Sequence, residues 1–269
     1  MPVLSRAGLQ IDYSEEGHGR PVVLIHSSVS GNRQWRALSE QLSDRYRVLA
    51  VNLFGYGATS PWRAVIPQSL ADQAELIRHV CDTVEGPVDI VGHSFGGCVA
   101  LKSALLLGSR VSSLVLLEPN PFHLLAQAGP SDAWRETLAL HAQVTGRMAL
   151  GDWEGAAPPF ADYWLGEGAW EAMPERRRAA FIEGLPPNFH EWDAALNEQT
   201  GVAGYAAIRA RTLVLSDRST RASIREIVAL LRQACAGWTF RFLDEGGHMA
   251  PLTRPDLVNP IVAGFLDAG

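Results

Sequence analysis

Cysteine is scarce in this 269-residue chain, and the three present, Cys81, Cys98 and Cys235, are odd in number. No disulfide framework is implied. Each lies in an apolar helical pattern where a free thiol packs as a small hydrophobe, and a reducing, cytoplasmic location is the expectation. Leader-like sequence is lacking too: the opening residues through Arg6 hold no basic segment followed by an apolar one, and no apolar run approaches a membrane span. Positive charge is in the minority. With 23 Lys and Arg against 29 Asp and Glu the net charge is -6, which argues against nucleic acid or an anionic membrane as partner. The basic triplet Arg176-Arg177-Arg178 reads as a solvated helix face. No His/Cys cluster has metal-ligand spacing, so neither a metal nor an organic cofactor is expected and the partner is a small-molecule substrate. Repeats and low-complexity tracts are absent, and nothing in the chain fixes its oligomeric state.

What is abundant is apolar sequence, 47% of residues, enough to bury a sizeable core. Short apolar runs alternate with longer amphipathic ones, the pattern of an α/β fold with a mostly parallel sheet between helices. Predicted strands run from Leu9 to Tyr13, Val22 to His26, Val48 to Asn52, Val88 to Val91, Ser113 to Glu118, Thr212 to Ser216 and Thr239 to Leu243. Helical spacing joins Leu70, Ile77 and Val84, then Ile224, Ile227, Val228 and Leu231, then Val258, Ile261, Val262 and Phe265. About ninety residues after Glu118 show no strand pattern and read as an inserted helical unit. It holds five of the eight tryptophans, Trp134, Trp153, Trp164, Trp170 and Trp192, with Pro158-Pro159 and Pro186-Pro187 as breaks between helices. Most of those tryptophans fit a small core of the insertion's own; a lid over a substrate would also present some of them to it.

The sharpest signal is Val91-Gly92-His93-Ser94-Phe95-Gly96-Gly97, a G-x-S-x-G between an apolar strand and a helix with Gly96, Ala100 and Ala104 on one face. A serine at such a strand-to-helix turn sits in a strained backbone conformation, and the flanking glycines remove side chains that would clash. The Phe95 N–H, at the positive end of the helix, points to where a substrate oxyanion would develop. A glycine-rich turn with an incidental serine is the plainer alternative, disfavoured by the strand and helix on either side. A serine hydroxyl needs a neighbouring imidazole to accept its proton. His248 fits, after the last strand, behind Gly246 and Gly247, and later in the chain than Ser94. His93 would point the wrong way, and His26, ending a buried strand, reads as a supporting hydrogen-bonding group.

Together these features resemble the α/β-hydrolase superfamily over essentially the whole chain. Gly92-His93-Ser94-Phe95-Gly96-Gly97 is similar to that family's nucleophile elbow, His26-Ser27-Ser28-Val29-Ser30-Gly31 to its oxyanion loop and Gly246-Gly247-His248-Met249 to its histidine loop. Asn52-Leu53-Phe54-Gly55-Tyr56-Gly57-Ala58-Thr59 is similar to its D-x-x-G-x-G-x-S turn, with Asn52 in the aspartate's place. The resemblance implies an eight-stranded, mostly parallel sheet and an all-helical cap, dividing the chain into core (1–119), cap (120–207) and core (208–269).

The acid departs from the family pattern. Most members carry it after the seventh strand, in a run resembling L-V-L-x-G-x-x-D; here Leu213-Val214-Leu215-Ser216-Asp217-Arg218-Ser219-Thr220 puts Thr220 at the aspartate position and Asp217 at the glycine position. A threonine cannot stabilise an imidazolium by charge. Glu118, at the tip of the strand Leu114-Val115-Leu116-Leu117, is favoured instead, because the sixth strand lies between the nucleophile strand and the seventh in the family's sheet, and some members, including haloalkane dehalogenases, carry their acid there. Asp217 is the alternative acid, and a structural carboxylate bonding loop amides is the plainer reading of Glu118. Asp244 and Glu245 read as solvated. The oxyanion hole is expected from the N–H of Phe95 and that of Ser27 or Ser28.

A serine at the elbow separates this chain from dehalogenases and epoxide hydrolases, which attack with an aspartate. The expected reaction is hydrolysis of a small, apolar carboxylic ester or lactone through an acyl-enzyme on Ser94. Carbon-carbon bond hydrolysis or acyl transfer with the same triad, or a small-molecule receptor of this fold with little turnover, are the alternatives.

Overall fold

The computed structural model describes residues 3–6, 8–63 and 65–269. The apolar runs form β1 (Val3–Arg6), β2 (Leu9–Glu16), β3 (Arg20–Ile25), β4 (Tyr46–Val51), β5 (Val88–His93), β6 (Val111–Leu117), β7 (Arg211–Asp217) and β8 (Thr239–Leu243). They join in one sheet of order β1-β2-β4-β3-β5-β6-β7-β8, antiparallel at β1-β2 and β2-β4 and parallel from β4 to β8. The eight-stranded α/β sheet is thus as expected, with β1 the strand that no apolar run announced: it lies on the edge and is mostly exposed. Every residue of β5 is buried, as a parallel strand covered on both faces must be.

Alternate residues of the strands feed two cores. Val23, Ile25, Ile90, Leu114, Leu116 and Val214 pack with α2 (Leu70–Cys81), α3 (Phe95–Leu107) and α11 (Ala222–Ala234). Val22, Leu24, Val91, Val115, Leu117, Leu213 and Leu215 pack with α1 (Arg36–Leu42) and α13 (Pro255–Asp267) on the other face. The small-residue face of α3 brings that helix hard against the sheet. A Cβ on Gly92 would lie 2.2 Å from the Gly96 carbonyl oxygen, and one on Gly96 would lie 2.3 Å from that of Ile25. Nothing larger than glycine fits either position with the backbone where it is.

Between β6 and β7 the chain is helical: α4 (His123–Ala128), α5 (Asp132–Met148), α6 (Trp153–Leu165), α7 (Ala169–Ala172), α8 (Glu175–Glu183), α9 (Pro186–Leu196) and α10 (Val202–Tyr205). Pro186 and Pro187 begin α9, where a missing N–H costs nothing. Pro158 and Pro159 do not break the chain as expected; both lie inside α6. The burial of Ala156, Ala157, Phe160 and Ala161 along one face of α6 outweighs the two lost backbone hydrogen bonds. The insertion is tied at its root by His123, whose ring faces the carbonyl oxygens of Ala195 at 3.2 Å and Thr200 at 3.0 Å. No helix among the described residues is long and apolar enough to cross a membrane. Helix α12 (Ala250–Thr253) follows the loop that carries His248.

Candidate active site

Ser94 is the single residue between the end of β5 and the start of α3, with φ 54° and ψ -120°. An L-residue holds such a conformation only where its surroundings impose it. Here the Ser94 N–H donates to the Leu117 carbonyl at 3.0 Å, and the Ser94 carbonyl accepts from Gly97 at 2.8 Å and Cys98 at 3.2 Å. The strain aims Oγ into a cavity of about 410 Å³ below the inserted helices, a volume suited to a small organic molecule.

His248 lies over that oxygen, its Nε2 2.9 Å from Ser94 Oγ. On the far side of the ring, Nδ1 lies 3.2 Å from Glu118 Oε2. The carboxylate accepts, so the ring carries its proton on Nδ1 and offers the Nε2 lone pair to the serine hydroxyl. Glu118 itself has φ 48° and donates its N–H to the Leu215 carbonyl, which carries the β6–β7 ladder one residue past the strand. Its Oε1 accepts from Ser216 Oγ at 2.8 Å and the Asp217 N–H at 2.5 Å, and its Oε2 from Thr220 Oγ1 at 2.5 Å. The threonine at the family's usual acid position therefore donates to the carboxylate that faces the histidine. Asp217, the alternative, makes no hydrogen bond to His248. Its oxygens accept from Ser219 at 2.7 Å (N–H) and 2.5 Å (hydroxyl) and from the Gly247 N–H at 3.1 Å, which pins the loop one residue before the imidazole.

The two oxyanion candidates of the first loop separate cleanly. The Ser27 N–H donates to Gln34 Oε1 at 3.0 Å and its hydroxyl to the same oxygen at 2.9 Å, so Ser27 is committed to the protein. The N–H groups of Ser28 and Phe95 find no acceptor among the described residues, and both residues line the cavity beside Ser94. Two free N–H groups facing a nucleophile can hold a developing oxyanion. Gln34 also links this loop to the elbow: its Nε2 donates to His93 Nδ1 at 3.1 Å, and His93 Nε2 donates to the His248 carbonyl at 2.9 Å. His93 turns away from the cavity, as expected, and burial holds its pKa well below the ordinary histidine range.

His26 plays the expected supporting part. Its Nδ1 faces the Ser27 carbonyl at 2.7 Å and its Nε2 accepts from the Leu53 N–H at 3.1 Å, so the folded protein needs the neutral ring, and burial pushes the pKa down to about 4. The unfolded chain takes up this proton near the ordinary value of 6.5. The stability His26 contributes is therefore complete above about pH 6.5 and is lost as pH falls toward about 4. Urea unfolding followed at about pH 7.5 and about pH 5 should show a loss of about 2 kcal/mol from this group, with His93 and His123, both shifted down by burial, adding to it. A free energy unchanged between the two pH values would contradict the burial of a neutral His26.

Several residues of the site carried no readable signal. Trp164 of α6 lies over the His248 ring, centroids 4.1 Å apart, and shields it from solvent; Trp192 of α9 stacks on Phe122 at 5.5 Å. Glu191 lines the cavity as a carboxyl whose pKa burial raises, with Asn188 Nδ2 donating to it at 3.0 Å. Asn120 donates from Nδ2 to Ser94 Oγ at 3.3 Å; its place two residues past Glu118 was the one available hint. Asp244 and Glu245 pair at the surface with Arg218 and Arg254, in keeping with their solvated reading.

The family model described as "Alpha/beta hydrolase family" matches residues 22–261. Lipase LipV of Mycobacterium tuberculosis is 29% identical over 266 residues, 94% of this chain and 95% of that protein. The 2-hydroxy-6-oxo-6-(2'-aminophenyl)hexa-2,4-dienoic acid hydrolase of Metapseudomonas resinovorans is 34% identical over 122 residues, 42% of this chain and 40% of that protein. Among solved structures, the enol-lactonase from Burkholderia xenovorans LB400 superposes with a TM-score of 0.79 at 18% identity, covering 99% of this chain and all of that one, a likeness of fold alone. With the sheet order seen here and a family match running from β3 into the last helix, the chain belongs to the alpha/beta hydrolase family.

Proposed function

We propose that this protein is a serine hydrolase that cleaves a small, apolar carboxylic ester or lactone through an acyl-enzyme on Ser94. The observation that carries the reading is the relay from Ser94 Oγ to His248 Nε2 and from His248 Nδ1 to Glu118. As Oγ attacks the carbonyl carbon, Nε2 takes its proton, and the charge on Glu118 stabilises the imidazolium. The carbonyl oxygen becomes an oxyanion between the N–H groups of Phe95 and Ser28. Collapse breaks the bond to the leaving alkoxide, which departs with the proton from Nε2. Water then attacks the acyl group, giving one proton to Nε2, and the second collapse returns that proton to Ser94 and releases the acid.

The helices from α4 to α10 serve as the cap over a core of residues 1–119 and 208–269. Their aromatic side chains Phe160, Trp164, Phe181 and Trp192 line the cavity and suit an apolar acyl or alcohol portion. The three free, buried cysteines fit a reducing cytoplasm. Carbon-carbon bond hydrolysis of a diketone stands as the second reading, since the partial likeness to a dienoic acid hydrolase favours it and the steps differ only in the leaving carbanion. A panel of p-nitrophenyl esters, lactones and diketones separates the two. Esters or lactones should turn over fastest, and a fluorophosphonate probe should label Ser94; folded protein that the probe leaves untouched would sink the hydrolase reading in favour of a receptor.

A further inference from the structure

The nucleophile has a second neighbour that the relay does not use. Asn120 is buried, lines the cavity, and donates from Nδ2 to Ser94 Oγ at 3.3 Å. Its placement is built at every level. Glu118-Pro119-Asn120-Pro121 leaves the tip of β6, and the two prolines stiffen the backbone on either side of the asparagine. Gly97 lets this segment close on α3, since a Cβ there would stand 3.0 Å from that of Pro119. The amide is oriented by Cys98, whose Sγ lies 3.1 Å from Asn120 Oδ1. Burial pushes that thiol's pKa up, so it keeps its proton and donates it, which fixes Oδ1 toward Cys98 and Nδ2 toward the serine.

In the resting site Ser94 Oγ gives its proton toward His248 and accepts from Asn120. Once Oγ is acylated it has no proton to give and is a weak acceptor, so the His248 acceptor and the Asn120 donor both lose their shared partner. Both line the cavity on the side from which the alcohol has departed, leaving space beside the acyl carbon. A water there can donate one proton to Nε2, accept a hydrogen bond from Nδ2 and keep its other lone pair for the acyl carbon. Resting on the serine-hydrolase reading above, we propose that Asn120 is a catalytic residue of deacylation, holding the hydrolytic water against His248. The balance of the step is that of ordinary acyl hydrolysis: the bond from water oxygen to acyl carbon forms, the Ser94 ester bond breaks, and the water's proton passes through Nε2 to Oγ.

The test follows the two half-reactions of a p-nitrophenyl ester by stopped flow and by intact-protein mass. Asn120→Leu should slow deacylation by about 10-fold to 100-fold more than acylation. It should show a burst of p-nitrophenolate close to one per enzyme and accumulate an acyl adduct on Ser94. Equal slowing of both half-reactions, or no change in their ratio, overturns the proposal, because a purely structural asparagine disturbs both. Cys98→Ala is the second variant, should Asn120→Leu fail to fold: it leaves the asparagine in place but frees its amide to turn, and should shift the same ratio in the same direction by several-fold. An unchanged ratio there overturns the proposal as well. Wild-type protein that takes neither the acyl group nor a fluorophosphonate on Ser94 would overturn the hydrolase reading and this inference together, whereas normal labelling with an unchanged ratio overturns only the inference.

Discussion

Ser94→Ala should lower kcat on the best ester of the panel by about five to six orders of magnitude, the loss seen when the nucleophile of a serine hydrolase is removed alone. Among the described residues no other hydroxyl lies within hydrogen-bond reach of His248 Nε2, and that of Ser27 is committed to Gln34. The variant should stay folded. Alanine has the same backbone demands as serine at φ 54°, and the two groups that lose a partner, His248 Nε2 and Asn120 Nδ2, both line the cavity, where water can reach them. Circular dichroism and thermal unfolding check the fold, and steady-state kinetics check the rate. Activity within about tenfold of the parent would remove the acyl-enzyme from consideration.

Glu118→Gln should lower kcat by about 10⁴ with little change in KM, as wrong-tautomer histidine does in other serine enzymes. The direction follows from the donors around the carboxyl. The Asp217 N–H and the Ser216 hydroxyl hold one oxygen, so the amide oxygen of a glutamine settles there and its NH₂ faces Thr220 and His248. His248 Nδ1 must then accept a hydrogen bond, the ring proton moves to Nε2, and the site points a donor at the Ser94 oxygen where it needs an acceptor. Asp217→Asn should cost about tenfold at most, because Asp217 holds the Ser219 turn and the Gly247 amide rather than the imidazole. The ratio of the two losses in kcat is the measurement. A larger loss from Asp217→Asn would make Asp217 the acid.

Much of this site was legible in the sequence because backbone geometry writes itself into glycines and serines. The elbow needs small residues where the helix closes on the sheet, and Gly92, Gly96 and Ala100 mark that closure. The carboxylate that faces His248 was legible through topology: β6 lies between β5 and β7, so a carboxylate at its tip faces the edge where Ser94 emerges. The choice between Ser27 and Ser28 was not, since it turns on where the side chain of Gln34, seven residues away, spends its oxygen. Nor was Trp164, one of five tryptophans in the insertion, because stacking on a histidine more than eighty residues later leaves no mark in local spacing. Pro158 and Pro159 misled for the opposite reason. Their local preference is to end a helix, and only the burial of the neighbouring face made by Ala156, Ala157, Phe160 and Ala161 shows why α6 continues through them.

The last residues of β5 and β6, His93 and Leu117, are register partners, so Ser94 and Glu118 leave the sheet side by side, and the inserted helices depart only afterwards and return at β7. On the reading proposed above, nucleophile and acid are laid down before the insertion, Asn120 opens it ahead of its first helix, and the base arrives after it ends. The proposed reacting groups and the aromatic side chains Phe160, Trp164, Phe181 and Trp192 that line the cavity are thus encoded in largely separate stretches of chain. In a lineage built this way, a recombination that replaces the helices between Phe122 and Ile208 wholesale can carry the reaction to a new substrate in one step, where a fold with its acid after the insertion would have to keep that loop in register as well.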